Sequence, residues 1–226
     1  MKIPFWKKWL SYLGEIHLES APSDINPHLY VSLKNGRLQL CTANAIYSYE
    51  DLYDNFTRAF QQFDKNFEIG KEVLVLGFGL GSVPIIMEKL FNKNFQFTGI
   101  ELDESVIYLA NKYALSKIVS PTQLIVANAM AFVHQSTQQY DLIAMDVFLD
   151  DVIPDDFEQI EYLGALKSLL KPNGVLLYNR LALDKKDLET TQAFFQDKFL
   201  KVFPDGHYLD VEGNWILMNN SNPLTK

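Results

Sequence analysis

Apolar residues along this chain recur with two different periods, and the change from one to the other divides it into segments. Val31-Ser32-Leu33 and Arg37-Leu38-Gln39-Leu40-Cys41-Thr42 alternate apolar and polar positions on either side of Lys34-Asn35-Gly36. Alternation with period two marks a half-buried strand, and Asn-Gly tolerates the positive φ angles of a tight hairpin turn. A β-hairpin module is therefore expected near the N-terminus. Behind Glu50-Asp51, Leu52, Phe56, Phe60 and Phe63 follow at helical spacing. Acids suit a first turn, so the pattern predicts a helix over 50–64 whose aromatic stripe is core.

From Lys71 onward the rhythm is strand, helix, strand, helix. Strands are predicted at 72–77, 95–101, 122–127, 140–146 and 173–180, and helices near 82–92, 103–116, 128–136, 155–170 and 184–198. Val73–Leu76 and Leu142–Met145 are apolar throughout, as strands covered on both faces should be. Right-handed crossovers place each helix over a parallel sheet, so the expected class is α/β, Rossmann-like and doubly wound. Leu200–Phe203, His207–Leu209 and Trp215–Met218 read as antiparallel edge strands joined at Pro204-Asp205-Gly206 and Glu212-Gly213-Asn214. The implied organisation is an N-terminal helix, hairpin and connecting helix over 1–64, followed by a Rossmann-like domain over 65–226.

In such a sheet the ligand lies beyond the carboxyl ends of the strands, so each strand end is a candidate site. The first strand runs into Gly77, Gly79 and Gly81, three alternating glycines at a helix start, which let backbone approach a ligand that a Cβ would hold off. Ser82 is placed to cap that helix, with Pro84 accommodated in its first turn. The second strand ends in Glu101, about twenty residues further on, where βαβ folds put the acid that accepts from ribose hydroxyls. Asp103 suits the cap of the following helix. The third ends in Asn128-Ala129: small residues leave room for a flat ring, and Asn128 either caps its helix or accepts from an adenine amino group through its side-chain oxygen. The fourth ends in Asp146, a candidate general base or clamp for a positive group.

Composition narrows the partners. The chain has 226 residues, 48% hydrophobic and 21% charged, with a formal net charge of −8. That balance fits an ordinary globular protein and opposes nucleic-acid binding, since no basic face is evident. One cysteine, Cys41, rules out an internal disulfide framework, and His17, His28, His134 and His207 are scattered without metal-ligand spacing. Phe5, Trp6, Trp9, Leu10 and Leu13 lie among Lys7 and Lys8 in the opening segment. It is too short and interrupted for a signal peptide or spanning helix and reads as a helix docked on the domain or on a partner subunit, with a membrane-surface anchor as the other reading. A cytoplasmic protein without membrane insertion is expected, with a homodimer through the N-terminal region.

Taken together, Val-Leu-Val-Leu-Gly-Phe-Gly-Leu-Gly, Gly-Ile-Glu-Leu-Asp, Ala-Asn-Ala-Met-Ala-Phe, Tyr-Asp-Leu-Ile-Ala-Met-Asp and Leu-Lys-Pro-Asn-Gly-Val-Leu resemble the class I S-adenosylmethionine-dependent transferases, within them the spermidine synthase-like branch. The hairpin segment Asn35-Gly36-Arg37-Leu38-Gln39-Leu40 is similar to the one by which polyamine synthases lay a Gln beside the sulfonium nucleoside. The resemblance implies S-adenosylmethionine or its decarboxylated form as cofactor, with Gly77, Gly79 and Gly81 at its tail, Glu101 at ribose, Asn128 and Ala129 at adenine, and Asp146 activating an amine. Gln39, Tyr47, Tyr49 and Asp150 are the candidate acceptor residues. Two departures matter. The loop aspartate that grips the aminopropyl amine is replaced by Leu80, and the diamine-binding aspartate three residues after the catalytic one by Leu149, with Asp150 next to it. The implied reaction is methyl transfer to a small, amine-like acceptor. Aminopropyl transfer and a non-catalytic nucleoside-binding scaffold are the alternatives, and a nicotinamide-dependent oxidoreductase leaves the hairpin and the Asp146 segment without a role.

Overall fold

The computed structural model describes residues 3–43, 45–149 and 152–225. A seven-stranded sheet runs through it, built from β5 (Glu72–Leu76), β6 (Gln96–Glu101), β7 (Thr122–Val126), β8 (Tyr140–Met145), β9 (Leu170–Leu181), β10 (His207–Asp210) and β11 (Asn214–Met218). Its order is β10-β11-β9-β8-β5-β6-β7, parallel from β9 through β7, with β11 antiparallel beside β9. The strand order reverses between β5 and β8, and there the crevice opens.

Both faces of this sheet are covered, as the unbroken apolar strands require. Val73 and Val75 pack with residues of α2 (Asp54–Gln61), α3 (Ser82–Phe91) and α4 (Glu104–Tyr113). Their neighbours Leu74 and Leu76 pack on the other face with α5 (Ala129–Gln135), α6 (Ile160–Ser168) and α7 (Lys185–Phe194). The period-two alternation of one strand thus feeds two separate cores.

The predicted hairpin, β2 (Tyr30–Lys34) and β3 (Arg37–Cys41), is the centre of a larger antiparallel sheet in the order β1-β2-β3-β4, flanked by β1 (Ile16–Ser20) and β4 (Ile46–Ser48). Asn35 and Gly36 take the positive φ angles of +50° and +74° that the turn demands. Val31, Leu33, Leu38 and Leu40 join the core shared with α2, α3 and α4, so the small sheet lies over the larger one through common apolar packing. At its far end α1 (Phe5–Leu10) has no buried residue, and Phe5, Trp6, Trp9 and Leu13 are 58–81% exposed.

Two expectations are corrected. The helix predicted over 50–64 begins only at Asp54, preceded by a short 3-10 turn over Glu50–Leu52. Glu50 is held at φ +44° while its carboxylate accepts from the Leu38 N–H and from Lys117, and this interrupts the helix ahead of Tyr53. Leu200–Phe203 is not a strand. The backbone continues from α7 through a π-helical turn, Phe195–Phe199, into α8 (Leu200–Val202), because Phe195, Phe199 and Phe203 recur every four residues and stack in sequence. Among the described residues no helix is long and apolar enough to cross a membrane.

Candidate active site

Where β5, β6, β7 and β8 stop, one cavity of about 1140 Å³ opens, roofed by Tyr47 and Ile46 from β4. Gly77, Gly79, Glu101, Asn128, Ala129 and Asp146 all line it, as does Tyr47. The volume lies at the upper end of what one small ligand occupies, which leaves room for two.

The glycine turn is built by close approach. Gly77 sits at φ +80°, and a Cβ there would drive into the carbonyl oxygen of Asp146, so the ends of β5 and β8 meet only because this residue has no side chain. Gly79, at φ +53°, lies beneath Tyr47 and Ser48 of the small sheet and presents backbone to the cavity. Gly81 caps α3 in a left-handed conformation against Phe78 and Ile118 and does not line the cavity. Ser82 is not the cap. Its hydroxyl shares a 2.7 Å hydrogen bond with Ser48 and accepts from the Tyr49 N–H at 3.0 Å, which fastens the small sheet over the turn. Leu80 is 1% exposed and belongs to the core.

Glu101 is oriented by backbone. Its Oε2 accepts from the Gly79 N–H at 3.1 Å and its Oε1 from Leu102 and Asp103 at 2.9 and 3.2 Å. Burial pushes its carboxyl above the ordinary value, those three N–H groups pull it back, and the charge on Asp103 raises it again. A carboxylate offers about four lone-pair positions. Three are taken, so the free one on Oε2 admits a single further donor.

Asn128 resolves to its capping role. Its Oδ1 accepts from Met130 and Ala131 N–H at 2.8 and 3.3 Å, so the oxygen expected at an adenine amino group is committed to α5. What the side chain retains for a ligand is its Nδ2 donor pair. Asp103 caps α4 as expected, accepting from the Ser105 N–H at 2.8 Å, and also receives Ser23 and Asn26 from the N-terminal module.

Asp146 lies over the turn at the end of β8. Its Oδ1 accepts from Asn179 Nδ2 at 2.8 Å and from the Tyr53 hydroxyl at 3.3 Å. Burial raises its carboxyl to about 6; the Asn179 and Tyr53 donors oppose that rise and the charge on Glu101 adds to it. Burial, with Asp146 beside it, pushes the Tyr53 phenol well above its ordinary value, so it stays protonated and donates. A carboxylate poised near neutrality and open to a cavity is suited to take a proton from an incoming group.

Two expected acceptor residues, Tyr49 and Gln39, fall elsewhere, and a third is not described. Tyr49 turns away: its hydroxyl donates to the Lys34 carbonyl and accepts from Asn35 at the hairpin turn. Gln39 is 1% exposed, paired with Ser32 inside the small sheet, and does not line the cavity. Asp150 lies outside the described residues. In their place the cavity gains Tyr53, Asn55, Asn179 and Asn214. Asn179 had a readable signal, a carboxamide at the end of the apolar run Val175–Tyr178; Tyr53 had none, because the predicted helix ran through it.

A methyltransferase-domain family profile matches residues 68–206. This chain belongs to that family. Among the relatives of this methyltransferase-domain protein, a polyamine aminopropyltransferase from Vibrio vulnificus (strain CMCP6) is 28% identical over 118 residues, 51% of this chain and 39% of that protein. An N-terminal histidine N-methyltransferase from Emericella nidulans is 33% identical over 119 residues, 50% of this chain and 20% of that protein. The methyltransferase-domain chain thus spans less than half the length of these curated relatives. A spermidine synthase solved with the transition-state analogue AdoDATO superposes with a TM-score of 0.68 at 18% identity, covering 90% of this chain and 72% of that one. The fold is that of the class I S-adenosylmethionine-dependent transferases, in its spermidine synthase-like form.

Proposed function

We propose that this methyltransferase-domain protein binds S-adenosylmethionine and transfers its methyl group to a small amine. The observation that carries the reading is the shared cavity in which Glu101 and Asp146 face a side-chain-free turn at Gly77 and Gly79. The residues fit the group. Glu101 would take a ribose hydroxyl, the small Ala127 and Ala129 with Asn128 would flank adenine, and the bare backbone of Gly77 and Gly79 would lie along the tail. When bound, the sulfonium supplies an activated carbon and a neutral leaving group. Asp146, ionised above pH about 6, receives the proton of the acceptor nitrogen and frees its lone pair, while the cavity walls hold that nitrogen in line.

Methyl rather than aminopropyl transfer is favoured by Leu80, whose side chain is buried in the core and offers no carboxylate to a donor's terminal amine. Aminopropyl transfer from the decarboxylated donor is the second reading, supported by the Vibrio vulnificus relative, a polyamine aminopropyltransferase. Incubation with each donor and a panel of small amines, read by mass spectrometry, tests the choice. A methylated product supports the proposal, and an aminopropylated one moves the assignment to the second reading.

The apolar face of α1, flanked by Lys7 and Lys8 on a chain of net charge −8, supports a homodimer in which this basic, aromatic helix meets the acidic body of a second copy.

A further inference from the structure

The central carboxylate is held by one oxygen only. Asp146 Oδ1 receives both Asn179 and Tyr53, whereas among the described residues no donor reaches Oδ2. A carboxamide alone is an ambiguous partner, because turned by half a revolution it would point its own oxygen at Asp146. Asn214 and the acceptor-only carboxylate together favour one orientation. Asn214 Nδ2 donates to Asn179 Oδ1 at 2.9 Å, which commits the oxygen of Asn179 and leaves its nitrogen to face Asp146. Asn179 is 1% exposed, so bulk water does not stabilise the reversed orientation. The clamp is assembled from distant segments: Asn179 lies near the end of β9 opposite Ile216, Asn214 begins β11 across from Leu181, and Tyr53 precedes α2.

We propose that Asn179 and Asn214 are positioning residues, a two-step carboxamide relay that with Tyr53 pins Asp146 Oδ1 and directs Oδ2 toward the nucleophile of the acceptor. The inference rests on Asp146 being the base of the proposed reaction, and it adds the source of that group's orientation. Among the described residues, the other charged groups lining the same cavity are Glu101 across the turn and Asp156, Asp184, Lys186 and Asp187 along its wall. The relay acts on Asp146 through contact, and Glu101 through charge.

The test reads the carboxyl of Asp146 directly in the ligand-free protein, by carbon NMR of aspartate-labelled samples across pH, with Asp146→Asn assigning the resonance. Asn179→Leu is expected to move the titration upward by about one pH unit, since a donor to the charged form is lost. Asn214→Leu, which removes no contact to Asp146, is expected to move it in the same direction by a smaller step. Asn214→Ala, at the half-buried first position of β11, gives the same reading if Asn179→Leu does not fold. An unchanged titration in the Asn214 variants overturns the relay, and an unchanged one in Asn179→Leu overturns the clamp. Neither outcome depends on turnover: absence of activity would remove the role of Asp146 and leave the relay standing.

Discussion

Asp146 and Asn179 each follow one step beyond the Met145–Tyr178 pair, the last between neighbouring parallel strands β8 and β9, and their side chains meet 2.8 Å apart. A carboxylate placed this way experiences two opposed influences. Burial disfavours its charge, while a fixed donor favours it, and the balance leaves it titrating at about 6.

That value has a consequence for stability. The folded carboxyl at about 6 lies above the ordinary 3.8, so the folded state holds the proton more tightly, and stability is lost as pH rises from about 4 through about 6. Asp146→Asn escapes this loss. It is expected to be more stable than the parent near neutral pH by on the order of 2 kcal/mol, with the gap closing near pH 4. Turnover should fall by about 10²–10⁴. Denaturant unfolding at the two pH values checks the first expectation, and an equal gap at both contradicts it.

Glu101→Gln places an N–H₂ group among the Gly79, Leu102 and Asp103 donors that the carboxylate now accepts. Nucleoside affinity should weaken by about 1.5–3 kcal/mol, because an acceptor and its charge are both lost. Calorimetry with methylthioadenosine reads this, and affinity unchanged within about twofold removes the ribose assignment.

The two cavity glycines should fail differently. Gly77→Ala forces a Cβ into the Asp146 carbonyl at positive φ, and a loss of about 3 kcal/mol or more is expected. Gly79→Ala meets Ser48 Cβ at 3.2 Å and the Tyr47 carbonyl at 3.3 Å, contacts that a small shift of the overlying strand relieves. Its cost should be about 1–2 kcal/mol, with the larger effect on ligand affinity. Thermal unfolding of both variants side by side settles the contrast.

The exposed face of α1 makes a prediction about assembly. Sedimentation of the protein should show a dimer, and Trp6→Glu with Trp9→Glu should convert it to a folded monomer. A monomeric parent protein contradicts the proposed interface.

Much of this was legible in the chain. Apolar runs such as Val73–Leu76 and the helical spacing between them specify a doubly wound sheet, and Asp103 announced its cap. What escaped depended on contacts between distant segments. Ile16–Ser20 alternates like a strand, but its partner β2 lies beyond the loop 21–29, whose Pro, Ser, Asp and Asn residues mark a turn without setting a hairpin register. Leu200-Lys201-Val202-Phe203 also alternates, yet the stacking of Phe195, Phe199 and Phe203 holds it helical. At the site, strand-end residues could be placed from sequence, whereas the partners of Asp146 could not, since Tyr53, Asn179 and Asn214 converge only after folding. The oxygen of Asn128 showed the reverse: the residue was found, and its local helix claimed the atom.

The most direct test of the account is calorimetric titration of the protein with S-adenosylmethionine, its decarboxylated form and methylthioadenosine in parallel. The account predicts that all three bind, that S-adenosylmethionine binds more tightly than the decarboxylated form, and that Glu101→Gln weakens each. Absence of binding by all three would contradict the assignment of the cavity as a sulfonium-nucleoside site.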